Sequence, residues 1–164
     1  MRFIDLSPLF AKQKELDDNI AKNHHVSYET TRNKRSLALL VEIGEFANAT
    51  RTFKYWSNKS SMSKDVVLDE YADGLHFFLS LGIDSCVKSS LVELIETDST
   101  PTDIFLKLYD DINKYFISRS DDDYFEAFKT FLSLLSPLNL TIEELEIAYY
   151  HKLKENYHRQ ETNY

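Results

Sequence analysis

Two apolar helical stretches within residues 37–82 each carry a pair of carboxylates three residues apart, Glu42 with Glu45 and Glu70 with Asp73. In a helix, side chains at positions i and i+3 lie on one face, so each pair presents its two carboxylates together. The second stretch is apolar on nearly all sides, which is typical of a buried helix. We therefore expect the four acids to face the interior.

Carboxylates that share a buried site repel one another. Two unit charges about 4 Å apart at an effective dielectric constant of about 20 repel by about 4 kcal/mol. Protonation or bound cations must relieve this repulsion. Oxygen ligands suit hard cations, and Mg²⁺ is typically held by one or two carboxylates per ion together with substrate phosphates. The pattern predicts Mg²⁺, with two or more ions per site, and a substrate that carries phosphates.

The alternative is that each pair lies on a solvated helix face. Glu93 with Glu96 repeats the spacing but lacks an apolar surround on both sides, and we expect that pair to be solvated. Two of the three glycines, Gly44 and Gly74, lie beside the first two pairs. A glycine inside a helix costs about 1 kcal/mol relative to alanine. We therefore expect a close approach of other elements at both glycines.

The fold class follows from how little interrupts the helical pattern. The chain has only three glycines and three prolines, and apolar residues recur with a helical period along most of its length. We predict an all-α helical bundle that forms one domain over residues 1–164, which is long enough to enclose a core. The scarcity of glycine also excludes a glycine-rich phosphate-binding loop. Metal ions and side chains would have to hold any phosphate.

Capping residues and apolar periodicity divide the chain into six helices. The predicted helices run from Ser7 to about residue 24, Tyr28 to Phe53, Ser63 to Gly82, Thr100 to Phe116, Ser120 to Leu135, and Thr141 to about Gln160. Residues 84–99 are ambiguous and could form a short helix. The fourth and fifth helices carry more apolar positions than a small core needs. A homodimer interface would use the surplus.

Charge and cysteine content limit the partners and the compartment. The net charge of −8 disfavours nonspecific binding to a nucleic-acid polymer, and a free nucleotide is the better candidate. Cys86 is the only cysteine, so no intrachain disulfide can form, and we expect an inert core thiol in a reducing compartment. No signal peptide or membrane-spanning run of apolar residues occurs. We expect a cytoplasmic protein with no membrane partner.

Single residues outside the acid pairs allow two interpretations each. Gln13 is expected to be exposed on the first helix, although an amide can both donate to and accept from a pyrimidine edge. Trp56 belongs to the core or walls a base pocket. Lys152, Asn156 and Arg159 share one face of the last helix. That face is either solvated or the complement that a triphosphate needs opposite the metal ions.

Several short motifs carry a family resemblance. EIGE at 42–45, FKYW at 53–56 and EYADGLHF at 70–77 resemble the all-α NTP pyrophosphatase superfamily, and the dimeric dUTPase family is the best match within it. QKELD at 13–17 is similar to the first motif of that family. The tail from Lys152 to Gln160, with its terminal Tyr, is similar to the last. The resemblance spans nearly the whole chain.

The resemblance implies a role for each of these residues. The expected Mg²⁺ ligands are Glu42, Glu45, Glu70 and Asp73, and the expected phosphate ligands are Lys152, Asn156 and Arg159. Gln13 and Trp56 are implied in the deoxyuridine pocket, to which we also assign His76 and Phe77. The family usually has Gly before the final Tyr, whereas this chain has Asn163. Asn tolerates the left-handed conformation, so the tail could still fold over the site.

We therefore predict an Mg²⁺-dependent hydrolase that converts dUTP, and also dUDP, to dUMP. In the triphosphate reaction, a metal-activated water attacks the α-phosphate and pyrophosphate leaves. Glu42 is our candidate for the base, followed by Glu45. Two alternatives stay open at this point: a related pyrophosphatase for dCTP or for house-cleaning, and a non-enzymatic helical interaction module. Phage-borne relatives can also bind regulatory proteins, and no feature of this sequence decides for or against that.

Overall fold

The computed structural model describes residues 1–164 as six α-helices and one two-stranded antiparallel sheet. The elements, in chain order, are β1 (Arg2–Asp5), α1 (Ser7–His24), α2 (Tyr28–Thr50), α3 (Lys64–Asp84), β2 (Leu91–Leu94), α4 (Pro101–Ser118), α5 (Asp121–Ser133) and α6 (Ile142–Glu161). The predicted all-α class and the six helices are confirmed. None of the helices has the length and apolar content that a membrane span requires.

The predicted capping side chains cap α4, α5 and α6, whereas Ser7 is the first residue of α1 rather than its cap and Ser63 makes no capping hydrogen bond at α3. The Thr141 hydroxyl accepts from the backbone N–H of Glu144 at 3.2 Å, and the Glu144 carboxylate accepts from the Thr141 N–H at 3.0 Å. This reciprocal pair is the predicted capping box. Thr100 and Ser120 likewise cap α4 and α5. Helix α2 ends three residues earlier than predicted because Arg51 adopts a left-handed conformation, with φ of 58°.

Residues 84–99, which the sequence left ambiguous, contribute strand β2 to the small sheet and do not form the short helix that we considered. Strand β2 pairs with β1 in antiparallel register, with Arg2 opposite Leu94 and Asp5 opposite Leu91. Val92 on β2 is buried in the core. The partner strand, β1, lies at the start of the chain, far from residues 84–99 in sequence. No local pattern in that segment therefore reveals the pairing.

The helices share one apolar core. The apolar residues of α4 and α5, such as Phe105, Phe128 and Phe131, are buried within this chain. Most of the apolar positions that suggested a dimer interface therefore pack in the core of this chain, and the dimer stays a prediction. The prediction of an inert core thiol is wrong, because Cys86 is exposed in the turn that follows α3. Its φ of 55° directs the chain away from the helix axis.

Helices α2 and α3 form the frame of the site. They run antiparallel, since Arg35 contacts Ser80 near one end of the pair and Glu45 lies beside Glu70 near the other. Gly74 allows close packing, because a Cβ atom at this position would lie 3.1 Å from the ring of Phe131. The expected close approach is thus confirmed there.

Gly82 is the glycine with the tightest surroundings, and Gly82→Ala is expected to destabilise the fold. The added Cβ would lie 2.3 Å from the hydroxyl oxygen of Tyr124, whose buried hydroxyl donates to the carbonyl of Phe78 at 2.8 Å. Overpacking of this kind costs about 1–3 kcal/mol. Urea unfolding measures the change in the free energy of unfolding.

Gly44→Ala is the matched control. Its added Cβ would meet only the hydroxyl end of the partly buried Tyr109, at 3.2 Å. Alanine favours a helix over glycine by about 1 kcal/mol, so this variant is expected to be as stable as the unmodified protein or more stable. A Gly82→Ala variant that unfolds at the same urea concentration as Gly44→Ala would contradict the packing argument.

Candidate active site

A cavity of about 780 Å³ lies among helices α1, α2, α3 and α6. Its volume is within the usual range of small-molecule sites. Ten of the eleven predicted site residues lie on its wall or in the acidic cluster beside it. The residues that line it are Gln13, Glu42, Glu45, Asp73, His76, Phe77, Lys152, Asn156 and Arg159, and Glu70 joins them through the cluster.

The acidic cluster joins α2 to α3. Glu42, Glu45 and Glu70 each offer a carboxylate oxygen, and these three oxygens lie within 4.8 Å of one another. Glu42 Oε2 is buried and has no hydrogen-bond partner. The cluster is less enclosed than the sequence indicated, because Glu45 is exposed and the other two are half-buried. The carboxylates thus line an open edge of the helix pair rather than a closed interior.

The cluster perturbs the protonation of its members. Burial, together with the nearby charges of Asp73 and Glu45, raises the pKa of Glu42 to about 8. Burial and the same acidic neighbourhood also raise the pKa of Glu70. A carboxylate with such a pKa holds a proton at neutral pH unless a cation takes its place. The cluster therefore has the electrostatic character of a cation site.

Asp73 is close to these three carboxylates but is not one of the converging group, and it pairs with a lysine. Lys152 Nζ on α6 lies 3.1 Å from Asp73 Oδ2 and 3.0 Å from Asp69 Oδ2. The Lys152 side chain is only 7% exposed. Burial alone would lower the pKa of Lys152, but the hydrogen bonds to Asp69 and Asp73 raise it above its usual value. Lys152 therefore carries its charge at neutral pH. Asp69, one turn before Asp73, was not among the residues we singled out.

Arg159, the second cation among the predicted phosphate ligands, lies on α6 near the chain end. Arg159 pairs with Glu155 at 2.6 Å, and its guanidinium lies 4.8 Å from the centroid of the Tyr164 ring. Asn163 adopts the left-handed conformation, with φ of 55°, and the Tyr164 N–H donates to the carbonyl of Arg159 at 3.0 Å. Tyr164 lines the cavity. The asparagine thus permits the turn that brings the tail back to the site.

Gln13 is buried, so its expected exposure on α1 is wrong. Its amide oxygen accepts from His76 Nδ1 at 2.6 Å and from the Tyr149 hydroxyl at 3.1 Å. Its Nε2 donates to Asp17 Oδ1 at 2.9 Å. These contacts fix the amide orientation, with one N–H hydrogen still uncommitted. The side chain is solvent-shielded because α3 and α6 close over this part of α1.

His76 is a neutral hydrogen-bond acceptor at the cavity wall. Because the amide oxygen of Gln13 can only accept, the proton of His76 resides on Nδ1. Burial lowers the pKa of His76 to about 3. Its Nε2 is buried and has no partner. The ring stacks on Tyr149 with a centroid distance of 4.3 Å, so its orientation is fixed.

Asp17 completes this end of the cavity and was missed as a site residue. It lies one turn after Gln13, within the QKELD motif, and its Oδ2 accepts from the Tyr28 hydroxyl at 2.9 Å. Burial raises the pKa of Asp17, although hydrogen bonds from Gln13, Ser80 and Tyr28 oppose the rise. The i, i+4 spacing from Gln13 was the available sequence signal.

Trp56 is the one predicted site residue that neither lines the cavity nor belongs to the acidic cluster. Its side chain is exposed in the segment after α2, where its ring contacts those of Phe53 and Tyr55. Its role in the base pocket stays a prediction. Phe77, by contrast, is half-buried and lies on the cavity wall next to His76.

The residues present suit a divalent hard cation. The donor set consists of carboxylate oxygens alone, which is the ligand type that Mg²⁺ prefers. The unpartnered Glu42 Oε2 is a buried acceptor that a cation would satisfy. No nitrogen or sulfur ligand belongs to the cluster, so the chemistry does not favour zinc or copper.

Comparison with known proteins gives one match. A family model described as dUTPase matches residues 5–164. No curated protein is similar enough to the chain to count as a match. This family is generally dependent on divalent metal ions, in keeping with the acidic cluster on α2 and α3. Because the match extends over nearly the whole chain, the chain belongs to the dimeric all-α dUTPase family and is a dUTP diphosphatase, which hydrolyses dUTP to dUMP.

Proposed function

We propose that this dUTP hydrolysis requires Mg²⁺, releases pyrophosphate and takes place in the cavity among α1, α2, α3 and α6. We further propose that dUDP is hydrolysed to dUMP at the same site. The observation that carries the proposal is the unpartnered, buried Glu42 Oε2 within a three-carboxylate cluster at the cavity. Such an arrangement is costly without a cation and suited to a metal-bound polyphosphate.

The four carboxylates would bind the metal ions, and one of them would also accept a proton. Glu42, Glu45, Glu70 and Asp73 are the proposed ligands. Divalent ions held by these carboxylates would neutralise the phosphate charge and lower the pKa of an attacking water. Glu42 is the proposed proton acceptor, because it is the most perturbed carboxylate of the cluster, and Glu45 is the second candidate.

Residues of α6 would bind the phosphates. Lys152, Asn156 and Arg159 share one face of the helix and line the same cavity as the carboxylates. Charged donors form hydrogen bonds to phosphate oxygens that are about twice as strong as neutral ones. The positive charges of Lys152 and Arg159 would stabilise the negative charge that develops on the leaving pyrophosphate.

Gln13, His76 and Phe77 would bind the nucleoside. The free N–H hydrogen of Gln13 can donate to a uracil carbonyl oxygen, whereas cytosine has an amino group in place of the O4 carbonyl. His76 Nε2 can accept from a donor such as a sugar hydroxyl. Phe77 offers an apolar surface. Because buried polar groups reject ligands that leave them unpaired, this pocket supports a preference for uracil.

We also propose a homodimer and a cytoplasmic location. Leu37 and Val41 on α2 and Leu106 on α4 are exposed apolar side chains that would form the contact between the two copies. The single cysteine and the absence of any disulfide pairing are in keeping with a reducing compartment.

A nucleotide panel tests the proposed function. Pyrophosphate release is measured for dUTP, dCTP, dTTP and dATP, each with Mg²⁺ and with EDTA, and phosphate release is measured for dUDP. We expect dUTP to be the preferred triphosphate and EDTA to abolish turnover. Metal-independent turnover would contradict the metal site, and a preference for dCTP would contradict the assignment of the base pocket.

A further inference from the structure

Lys152 is a buried cation that already neutralises one of the proposed metal ligands. Its ammonium group bridges two carboxylates of α3, Asp69 at 3.0 Å and Asp73 at 3.1 Å, and Glu155 on its own helix lies 3.6 Å away. Asp69 and Asp73 are one helical turn apart and therefore lie on the same face. Lys152 is held between them with almost no contact with water.

Asp73 is thus occupied by Lys152, whereas the other three carboxylates of the site have no such cation. The oxygens of Glu42, Glu45 and Glu70 converge, whereas Asp73 is not part of that group. A divalent ion that recruits Asp73 would lie next to the Lys152 ammonium and would be repelled by it. The ion and the ammonium group therefore compete for the same carboxylate.

We propose that Lys152 is an exchangeable counterion that couples metal binding to phosphate binding, with Asp69 as its holding residue. In the nucleotide-free protein, Lys152 neutralises Asp73. When a divalent ion takes Asp73, Lys152 stays paired with Asp69 and its remaining hydrogen-bond donors become available to the phosphates. This inference rests on the proposed metal site and adds to it an order of events and a positioning role for Asp69.

Because an ion must displace Lys152 from Asp73, we expect the nucleotide-free protein to bind divalent ions weakly. Displacing Lys152 from Asp73 costs an ion pair, and that cost is recovered only when phosphate oxygens replace the carboxylate. Linkage then requires that the nucleotide strengthen metal binding and that the metal strengthen nucleotide binding by the same factor. Without Asp69, displacement would leave a buried ammonium with only Glu155 near it, so metal binding would be weaker still.

Calorimetric titration of the nucleotide-free protein with Mg²⁺ tests the exchange. Lys152→Met keeps the length of the side chain and removes the charge, and we expect it to raise the Mg²⁺ affinity by about tenfold or more, within the usual range of coupling between binding events. Lys152→Gln serves as a second variant in case the first does not fold. Arg159→Met is the matched control, because Arg159 lines the same cavity but pairs with Glu155 and not with the cluster.

A double-mutant cycle tests the role of Asp69. Asp69→Asn is expected to lower the Mg²⁺ affinity of the otherwise unmodified protein but to have little effect when Lys152 is already methionine. If Asp69 acted only as a nearby negative charge, its effect would be the same in both backgrounds. That result would overturn its holding role.

The outcomes also separate this inference from the proposed metal site. Absence of Mg²⁺ binding in every variant, with and without a nonhydrolysable dUTP analogue, would overturn both. Mg²⁺ binding that is equal in the unmodified protein and Lys152→Met would overturn the exchange alone. An increase in Mg²⁺ affinity of the same size in Lys152→Met and Arg159→Met would also overturn the exchange. The loss of any positive charge near the cavity would then explain the increase.

Discussion

Replacing Glu42 with glutamine is expected to lower kcat for dUTP by about 10²- to 10⁴-fold, the usual contribution of a general acid or base. Glutamine keeps the size of the side chain but removes both its charge and its capacity to accept a proton. The Oε2 atom of Glu42 is the unpartnered buried oxygen of the cluster, so it is free to bind a cation or to accept a proton. The measurement is kcat at saturating dUTP and Mg²⁺.

Glu93→Gln is the control for this variant. Glu93 belongs to a second carboxylate pair with the same three-residue spacing, but it lies on β2 and does not line the cavity. We expect its kcat to be unchanged. A Glu42→Gln variant with the kcat of the Glu93→Gln variant would show that Glu42 is neither base nor essential ligand.

The same substitution should also change the pH dependence of stability. In the folded, metal-free protein the pKa of Glu42 is raised from 4.5 to about 8, so the folded state binds its proton more tightly than the unfolded state does. The contribution of Glu42 to stability is therefore largest below its unfolded pKa and is lost as the pH rises towards 8. Relative to the unmodified protein, Glu42→Gln should gain stability over this window. Melting curves at pH 5 and pH 8 without metal measure the difference.

Gln13→Ala and Arg159→Ala are expected to affect different properties of the enzyme. Loss of Arg159 removes a charge-assisted hydrogen bond of about 1.5–3 kcal/mol, which corresponds to about 10- to 150-fold in kcat/KM. The loss should be similar for dUTP and dCTP because both carry the same phosphates. Loss of Gln13 should instead reduce the ratio of kcat/KM for dUTP to that for dCTP, because the amide is the oriented donor at the base end of the cavity.

Gln13→Ala is also expected to destabilise the fold, so the measurement of specificity must not depend on stability. The substitution leaves His76 Nδ1 without its acceptor, and an unpaired buried group costs about 1–3 kcal/mol. The Tyr149 hydroxyl also loses the Gln13 oxygen but can still donate to the carbonyl of Leu9 at 3.3 Å. The ratio of kcat/KM for two substrates does not depend on the folded fraction, so it isolates specificity. If Arg159→Ala changed this ratio and Gln13→Ala did not, the two roles would have been assigned in reverse.

Local signals predicted the helices and the order of the motifs. Thr141 with Glu144 forms its capping box from residues three positions apart, and the pairs Glu42 with Glu45 and Glu70 with Asp73 share a helix face for the same reason. These features depend on contacts within one or two helical turns, so a short stretch of sequence contains all that they need.

Contacts between distant segments decided the rest. Gln13 appeared exposed on α1, but its amide bonds to His76, 63 residues further along the chain, and this burial depends on how α3 and α6 pack over α1. The partner of β2 is likewise distant in sequence. Trp56 shows the reverse effect, since its motif predicted a pocket residue and the segment after α2 leaves it exposed.

The acidic site depends both on local spacing along the helices and on contacts between distant helices. The spacing of the four carboxylates is local, so the amino-acid sequence was enough to predict two pairs on helices. The convergence of three of them, and the pairing of Asp73 with Lys152, depend on how the helices pack. A buried carboxylate pairs with a cation that helix packing brings close to it, and the partner of Asp73 lies on α6, which the helical period of α3 cannot reveal.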